Sequence, residues 1–402
     1  MMRKIFYGWW IVLACSLNSF YVAGIIFYSF TAFFTPIRNE FDWSHTQISF
    51  AASLRGLEMG LFAPIVGILV DRMGSRKLIL WGTIIAGFGL MLLSRTQSLA
   101  MFYGAFLLIA LGAGGCSAVA TMSAVANWFD KKVSIALGVM ASGVGAGGLM
   151  VPLTVHLIEV YGWRTTLMIL GFGMWGLGIP LSMVIRDKPE KYGCLPDGRV
   201  SSEPVHGTKK KEEGKEISLK EAVRSRAFIC LNMVEAIRML VVSAVVVHVM
   251  PYLTGLGFSR SRAGLVAAAI PLFSILGRSG FGWLGDIFSK KYIMAWAFTA
   301  LSLGILAFQY VELLWALILF LLLFPPGYGG GMVLRGASLR EYFGRNAFGK
   351  IMGVTMGTSA VGGIIGPTLA GWVFDTWGSY DVLWLVFFGI GLLGVGLVFR
   401  IK

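Results

Sequence analysis

The sequence contains few charged residues. Only 13% of its 402 residues are Asp, Glu, Lys or Arg, whereas 56% are hydrophobic. An ordinary soluble domain carries about 25% charged residues. This composition therefore excludes a typical soluble globular protein. Acidic residues are the scarcer group, with 20 against 34 basic ones, and the formal net charge is +14.

Cysteine and histidine are also rare, with four residues each. The cysteines, Cys15, Cys116, Cys194 and Cys230, have no paired spacing. This excludes a disulfide framework and a cysteine-based zinc site. No nucleophile and base pair, metal-ligand cluster or phosphate loop is found outside the apolar runs. We therefore expect no enzyme activity, no cofactor and no metal.

Long apolar runs are abundant, and each is close to the roughly 20 residues that a helix needs to cross a bilayer. Many of the 53 glycines lie inside these runs, where they allow helices to pack closely. The pattern predicts an all-α membrane protein with twelve transmembrane helices. We number the runs as spans 1 to 12: 8–34, 46–70, 78–94, 99–128, 133–158, 165–185, 227–254, 262–285, 292–309, 313–338, 348–373 and 381–399.

The basic residues lie mainly on one side of the predicted membrane. Of the 34, 25 lie in the termini and in or at the edges of the loops after even-numbered spans, with Lys350 among them. Five, including Arg262, lie in or at the edges of the other loops, and four lie deeper inside spans. The positive-inside rule then predicts that both termini are cytoplasmic, in a plasma membrane protein. The long loop 187–222 carries prolines and mixed charge, so we interpret it as a solvated linker and not as a nucleic-acid-binding arm.

The two halves of the chain repeat each other. Gly67 to Asp71 matches Gly282 to Asp286, and the glycine-rich stretch 138–152 matches 353–367, both with an offset of 215 residues. The repeat predicts two pseudo-symmetric six-helix bundles, at 1–186 and 223–402. Parallel repeats of this kind place a substrate path between the two halves.

The loop between spans 2 and 3 reads Gly67-Ile-Leu-Val-Asp71-Arg72-Met-Gly74-Ser-Arg76-Lys77. A carboxylate at Asp71 can accept hydrogen bonds from the N-terminus of a neighbouring helix. The motif resembles the loop signature of the major facilitator superfamily, and a degenerate second copy surrounds Asp286. The resemblance implies a transporter that alternates between inward-open and outward-open states. It assigns conformational gating to seven residues: Gly67, Asp71, Arg72, Gly74, Arg76, Lys77 and Asp286.

Further short sequences are similar to the monocarboxylate and oxalate/formate transporter branch of that superfamily. They are Tyr7 to Trp10, Phe41 to Ser44, His248 to Tyr252, Arg278, and Tyr342 to Arg345. Three features depart from the branch. The animal monocarboxylate carriers have an aspartate four residues before the arginine of span 8, where this chain has Ser274, and a lysine in span 1, which is missing here. The oxalate/formate exchangers carry a lysine inside span 11, whereas residues 351–373 of this chain hold no cation.

Six charged residues lie inside the predicted spans, three or more residues from either end. Each costs roughly 2.5–3.5 kcal/mol to place at a helix centre when it has no partner. Arg55 with Glu58 and Glu235 with Arg238 are three residues apart, so each pair can share a helix face. Two roles remain open for these pairs: a structural ion pair, or a network that exchanges partners or protons during transport. We expect the fifth residue, Arg335, to snorkel to the membrane interface.

The sixth, Arg278, has no acid within one helical turn in the sequence. An arginine grips a carboxylate with a planar fork, so we predict that Arg278 binds an anionic substrate. Asn18, Tyr21, Ser117 and Tyr328 are polar residues that either line the path or form hydrogen bonds between helices. His248 is either a proton shuttle or a satisfied packing partner.

Four arginines against two glutamates inside the spans favour an anion over a cation. The sequence thus predicts a secondary transporter that moves a small organic anion, first of all a monocarboxylate, by rocker-switch alternating access with proton symport. Anion exchange, export of another solute and ligand sensing without transport are the alternatives. Its expected partners are the anion, the proton and the lipid bilayer, with no nucleic acid, and we expect a monomer.

Overall fold

The computed structural model describes residues 6–43, 47, 62–198, 219–345 and 347–401. Within these ranges the regular secondary structure is helical and includes no strand. The predicted pair Arg55 and Glu58 lies outside the described residues.

Among the described residues, eight helices precede the middle loop. They are α1 (Tyr7–Val22), α2 (Phe30–Phe41), α3 (Ala63–Met73), α4 (Ser75–Ser94), α5 (Leu99–Gly115), α6 (Ala118–Trp128), α7 (Val133–Ala146) and α8 (Met150–Val184). A π-helical segment, Ala23–Tyr28, joins α1 to α2, and a 3-10 turn, Gly147–Leu149, joins α7 to α8. Gly162 interrupts α8 with a φ of +76°, a value that glycine adopts without steric cost.

The described residues from 219 onwards form seven further helices. They are α9 (Leu219–Arg224), α10 (Arg226–Gly255), α11 (Arg260–Ile287), α12 (Lys290–Gln309), α13 (Leu314–Phe343), α14 (Phe348–Trp377) and α15 (Asp381–Phe399). At 1.5 Å rise per residue, the 30 residues of α10, α13 and α14 extend well beyond the apolar core of a bilayer.

Ten helical stretches among the described residues are long and apolar enough to cross a membrane. One of them, Val133–Val184, contains both span 5 and span 6, because Gly162 is the one residue with non-helical backbone angles between the two parts of α8. The ten stretches therefore correspond to eleven of the twelve predicted spans. The remaining one is span 2, of which the structure describes only residue 47 and residues 62–70.

The chain forms two compact units. Unit 1 contains 1–131, 139–215 and 345–354, and unit 2 contains 132–138, 216–344 and 355–402. Each unit is thus one sequence half together with a short segment from the other half. The two short segments lie at the starts of α14 and α7, which are equivalent positions in the repeat.

A cluster of aromatic side chains forms much of the core of unit 2. Phe308 stacks on Phe320 with ring centroids 4.5 Å apart, and Phe320 stacks on Phe324 at 5.2 Å. Trp384 is completely buried and contacts Phe308 edge-on at 5.1 Å. Such pairs contribute about 0.5–1.5 kcal/mol each beyond area burial. They fix α12, α13 and α15 against one another and so give rigid support to the charged residues on α10 and α13.

Candidate functional site

Unit 2 contains a buried cluster of charged residues on α10 and α13. Glu235 and Arg238 are one turn apart on α10, and Arg335 reaches the same carboxylate from α13. Arg238 Nε donates to Glu235 Oε2 at 2.9 Å, while Nη2 of Arg238 and Nη1 of Arg335 both donate to Oε1. All three residues are at most 3% exposed. The pairing of Glu235 with Arg238 that their spacing predicted is confirmed.

The position of Arg335 corrects a prediction. We expected its side chain to snorkel to the interface, but it is 3% exposed and bonded to Glu235. An arginine this deeply buried needs a counter-charge, and the carboxylate of α10 supplies it. The two residues are 100 positions apart in the chain, so helical spacing gave no signal for the contact.

Tyr328 lies between two of the arginines. Its backbone carbonyl accepts from Arg238 Nη1 at 3.3 Å. The guanidinium carbons of Arg238 and Arg278 lie 5.6 Å and 5.7 Å from the centre of its ring, within cation–π range. Arg278, on α11, is completely buried. Two residues predicted to bind substrate, Arg278 and Tyr328, therefore lie together and next to the ion-pair cluster.

Glycines of α13 provide the room for these arginines. A Cβ at Gly329 would lie 2.2 Å from the carbonyl oxygen of Ser274 and 3.0 Å from Cγ of Arg278. A Cβ at Gly331 would lie 2.8 Å from Cδ of Arg238. The glycine-rich sequence of α13 thus lets α11 approach closely and lets both long side chains extend along the helix surface.

His248 is held by two hydrogen bonds in unit 2. Its Nδ1 lies 3.0 Å from the hydroxyl of Tyr380, and its Nε2 lies 3.0 Å from the carbonyl oxygen of Pro367. A carbonyl oxygen only accepts, so Nε2 carries a proton, and Nδ1 of the neutral ring accepts from the tyrosine. Of the two roles that the sequence left open, this geometry favours the satisfied packing partner.

The other predicted substrate-binding residues lie in unit 1. Tyr21 donates to the carbonyl oxygen of Leu170 at 3.1 Å, which is a hydrogen bond between α1 and α8. Asn18 is 2% exposed, and its Nδ2 has no hydrogen-bond partner among the described residues. Ser117, just before α6, has a buried hydroxyl that also lacks a partner in the described part of the chain. Asn18 and Ser117 could thus still form hydrogen bonds with a ligand, whereas the hydroxyl proton of Tyr21 is already donated to Leu170.

The loop motif at the end of α3 caps a neighbouring helix, as we predicted for the carboxylate of Asp71. Asp71 accepts from the backbone N–H groups of Gly349 at 3.1 Å and Lys350 at 3.0 Å, at the start of α14. Gly67 lies one turn earlier, and a Cβ there would be 2.3 Å from the carbonyl oxygen of Gly349. The glycine thus allows the close approach that lets the aspartate cap the positive end of α14.

The second copy of the motif repeats this geometry in unit 2. Asp286 accepts from the N–H groups of Ser134 and Ile135, both at 2.8 Å, at the start of α7. A Cβ at Gly282 would lie 2.8 Å from the carbonyl oxygen of Ser134. Each residue in this contact is displaced by 215 positions from its equivalent around Asp71. The two halves therefore share this helix-capping contact as well as the sequence motif.

The remaining residues of the motif lie around the start of α4. Gly74 precedes this helix with a φ of +86°, and the backbone N–H of Arg76 donates to Asp187 Oδ1 at 2.9 Å. The side chains of Arg72, Arg76 and Lys77 are exposed. The three side chains are therefore accessible to solvent next to the start of α4.

The first part of the middle loop packs against unit 1, although the sequence indicated a solvated linker. The guanidinium of Arg186 lies between the rings of Tyr7 and Tyr192, at 4.0 Å and 4.2 Å. Asp197 accepts from the N–H groups of Asp130 and Lys131 at 3.2 Å and 2.8 Å. We call residues 186–198 the strap. Its contacts are made by side chains distant in sequence, so composition alone did not indicate them.

The sequence matches the family model of the Major Facilitator Superfamily over residues 12–277 and 231–402, which together span most of the chain. This chain belongs to that superfamily. The assignment agrees with the duplicated loop motif and with the helical fold.

Among its relatives in the superfamily are the monocarboxylate transporters 12 and 13. The mouse transporter 12 is 25% identical over 94% of this chain and 82% of its own length. The rat transporter 13 is 23% identical over 98% of this chain and 88% of its own length. A fujikurins efflux protein of Gibberella fujikuroi is 34% identical, but over 40% of this chain only.

Solved structures of superfamily members share the fold. The proton:xylose symporter XylE superposes with a TM-score of 0.76 at 12% identity, covering 98% of this chain and 96% of XylE. The human organic anion transporter MFSD10 superposes with a TM-score of 0.73 at 14% identity, covering 97% and 98%. At these identities the likeness shows the fold alone.

This superfamily member carries the described charge cluster in one repeat only. Subtracting 215 from the positions of Glu235, Arg238, Arg278 and Arg335 leads to apolar residues in the first repeat. Those residues are Phe20, Ala23, Ala63 and Ala120. The fold is duplicated, but this buried chemistry is not.

Proposed function

We propose that this chain is a secondary transporter of a small organic anion, with a monocarboxylate as the first candidate, and that it works by alternating access with proton symport. The observation that carries the proposal is the buried cluster of unit 2. There, Arg238 and Arg335 share Glu235. The guanidinium groups of Arg238 and a third arginine, Arg278, both lie over the ring of Tyr328.

The charge balance of the cluster favours an anion. Glu235 can neutralise only one of its two arginines, and Nε of Arg335 has no hydrogen-bond partner among the described residues. Removing an ion from water costs several kcal/mol, which attraction to an opposite charge offsets. A carboxylate that entered the cluster would supply such a charge and accept the forked hydrogen bonds that guanidinium groups offer. A cationic substrate would meet repulsion instead.

The relatives point to the same class of substrate. Two groups of sequence relatives are named monocarboxylate transporters, and they align over nearly the whole chain.

Glu235 is the candidate coupling residue of the described cluster. A substrate carboxylate and the Glu235 carboxylate compete for the same donors on Arg238 and Arg335. Once displaced, the glutamate lies in a dry environment with less positive charge beside it, and protonation neutralises it. Anion and proton would then move together. Ser274 has no carboxyl group, and its hydroxyl donates to the carbonyl oxygen of Pro271 on its own helix at 2.7 Å. The coupling acid of this cluster is therefore not found four residues before Arg278.

Anion exchange is the second candidate, since the position of Ser274 is an aspartate in the animal monocarboxylate carriers. In an exchanger, a second substrate anion would neutralise the arginines on the return step, and no proton would be needed.

The paired aspartate caps fit alternating access. Asp71 and Asp286 each hold the start of a helix from the opposite sequence half. We infer that these contacts form and break as the halves rock. By the positive-inside rule, the caps and both termini face the cytoplasm of a plasma membrane protein.

A thermal-shift screen of the purified protein tests the substrate class. We expect small monocarboxylates to raise the melting temperature and neutral sugars and amines to leave it unchanged. In Arg278→Ala, the concentration of carboxylate needed for half the shift should rise about tenfold or more, as for loss of a hydrogen bond to a charged group. Arg262→Ala is the matched control, because this exposed arginine lies near the start of the same helix. Stabilisation by sugars without stabilisation by carboxylates would contradict the proposal.

Uptake into proteoliposomes tests the coupling. An inward proton gradient should drive accumulation by the wild type, and Glu235→Gln should transport without responding to that gradient. The same experiment with Glu58→Gln examines the acid outside the described residues. If both variants keep the full proton dependence, neither glutamate couples transport. Acceleration by substrate inside the vesicles, with no response to pH, would favour exchange.

A further inference from the structure

A second charged site lies within unit 1, and it shares no residue with the buried cluster of unit 2. It is a cavity of about 210 Å³, several times the roughly 30 Å³ that a water molecule occupies in the liquid. The turn between α3 and α4, the end of α6, the strap and the start of α14 line it. Its chemically relevant lining residues are Asp71, Arg72, Ser123, Asp187, Lys188, Lys191 and Arg345.

The two acids that line the cavity are already engaged with backbone N–H groups. Asp71 accepts from Gly349 and Lys350, and Asp187 accepts from Arg76. Each carboxylate thus balances the positive end of a helix, α14 in one case and α4 in the other.

Four cationic side chains converge on the cavity from three elements. Arg72 comes from α3, Lys188 and Lys191 from the strap, and Arg345 from the segment before α14. Arg345 is tied to Glu190 at 2.7 Å, whereas the described residues form no ion pair with Arg72, Lys188 or Lys191. The lining therefore has an excess of positive charge.

Ser123 adds a neutral donor to the lining. It is 2% exposed, and its hydroxyl has no hydrogen-bond partner among the described residues. A buried hydroxyl without a partner has lost its hydrogen bonds to water and gained none in return, which is unfavourable. It is therefore a group that a ligand oxygen would satisfy.

We propose that this cavity binds a phosphate group, carried either by a soluble anion or by the headgroup of an anionic lipid. A phosphate presents at least three strong acceptor oxygens, so it can bridge cations from separate elements in a way that a carboxylate with two oxygens cannot. Arg72 offers a forked guanidinium donor, the two lysines offer point charges, and Ser123 offers a hydroxyl. Arg345, whose Nη1 and Nη2 already donate to Glu190 and to the carbonyl oxygen of Asn127, adds positive charge beside them. The bound group would link the strap and the α3–α4 turn to the start of α14, beside the Asp71 cap.

The test uses the full-length protein in phosphatidylcholine nanodiscs, with inorganic phosphate and pyrophosphate as soluble probes. We expect each to raise the melting temperature saturably. Chloride at equal ionic strength should not, which separates binding from general screening. A second set of nanodiscs contains phosphatidic acid. If a lipid headgroup fills the site, these discs raise the melting temperature by themselves and abolish the response to the soluble probes.

Two variants test the location. Lys188→Gln with Lys191→Gln removes two exposed cations that line the cavity, and the half-saturating concentration of pyrophosphate should rise about tenfold or more. Lys131→Gln with Lys132→Gln removes the same charge from exposed positions outside the cavity and should leave it unchanged. Ser123→Ala alters no charge and should weaken binding several-fold.

The proposal is overturned if no probe, soluble or lipid, gives a saturable shift. It is also overturned if the Lys188 and Lys191 double variant responds like the wild type, or if the control double variant loses the response equally. Stabilisation by carboxylates, measured on the same samples, should be the same in every lysine variant. A failure here is thus distinct from a failure of the transport proposal.

Discussion

At the scale of single residues, the protein depends on one carboxylate shared by two guanidinium groups. Glu235 is the acid that Arg238 and Arg335 both bind, and all three are buried. Removal of the acid leaves two buried positive charges side by side. By contrast, removal of an exposed acid such as Glu341 leaves its partner Lys290 with water to solvate its charge.

We expect Glu235→Gln to lower the free energy of unfolding by about 3–5 kcal/mol, as for loss of one member of a buried ion pair. Glu341→Gln is the matched control. It breaks the ion pair of the half-exposed Glu341 with Lys290 at 2.8 Å and should cost less than about 1 kcal/mol. Thermal unfolding in detergent measures both. An equal loss in the two variants would show that Glu235 is not balancing buried charge.

His248 allows a second prediction at this scale. Its two ring nitrogens are bonded to Tyr380 and Pro367, so substitution should act on stability and not on coupling. We expect His248→Ala to lower the free energy of unfolding by about 1–3 kcal/mol, because the groups it leaves lose their partners. The dependence of uptake on pH should stay that of the wild type. Loss of this dependence in a variant that still transports would restore the proton-shuttle hypothesis.

At the scale of helices, glycines allow close contacts between helix backbones, because they carry no side chain. Gly67 on α3 faces the backbone of α14, with 2.3 Å between a Cβ built there and the carbonyl oxygen of Gly349. Gly280 on α11 has open space at its Cβ position. These two glycines give opposite expectations for the same substitution.

Gly67→Ala should separate α3 from the start of α14 and lengthen the hydrogen bonds of Asp71. We expect uptake to fall several-fold and the melting temperature to fall with it. Gly280→Ala should leave uptake unchanged and stabilise the protein by up to about 1 kcal/mol, through helix propensity. Initial uptake rates and thermal unfolding are the measurements. Normal transport by Gly67→Ala would mean that the close approach is dispensable.

The contact between α2 and α8 predicts a dependence of stability on pH. Glu40 accepts from Arg164 at 2.7 Å and from Trp163 at 2.7 Å, and the arginine holds the pKa of this carboxyl below its ordinary range. A lowered pKa contributes stability at neutral pH that is lost as the pH falls through the folded-state value. The pair is exposed, so the contribution is about 0.5 kcal/mol.

We therefore expect the wild type to be more stable than Glu40→Gln at pH 7 and the difference to shrink as the medium is acidified below the ordinary glutamate pKa of about 4.3. Melting temperatures of the two proteins across that range measure it. A constant difference would show that ionisation of Glu40 does not contribute.

At the scale of the whole molecule, the features that could be predicted from the sequence were those carried by the internal repeat. The offset of 215 predicted the duplicated architecture, and the loop motif predicted that Asp71 caps a neighbouring helix; both are confirmed. The partner of Arg335 was missed because it lies on another helix. The packed strap was missed because its composition resembles that of a solvated loop.

The repeat also predicts that the two aspartate caps act independently. Asp71 binds within unit 1 and Asp286 within unit 2, with no partner in common. We expect Asp71→Asn and Asp286→Asn each to lower the free energy of unfolding and the double variant to equal their sum within about 0.5 kcal/mol. Thermal unfolding of the four proteins completes the cycle. A larger departure would reveal coupling between the caps.

The one-sided position of the charge cluster has a consequence for hydrogen exchange. The cluster lies on α10, α11 and α13 of unit 2, and its equivalents in the first repeat are apolar. An anion that neutralises the cluster would suppress local opening of the helices that carry it. Deuterium uptake on addition of a carboxylate should thus slow first in α10 and α13, while α1 and α6, their counterparts in the first repeat, keep their original rates.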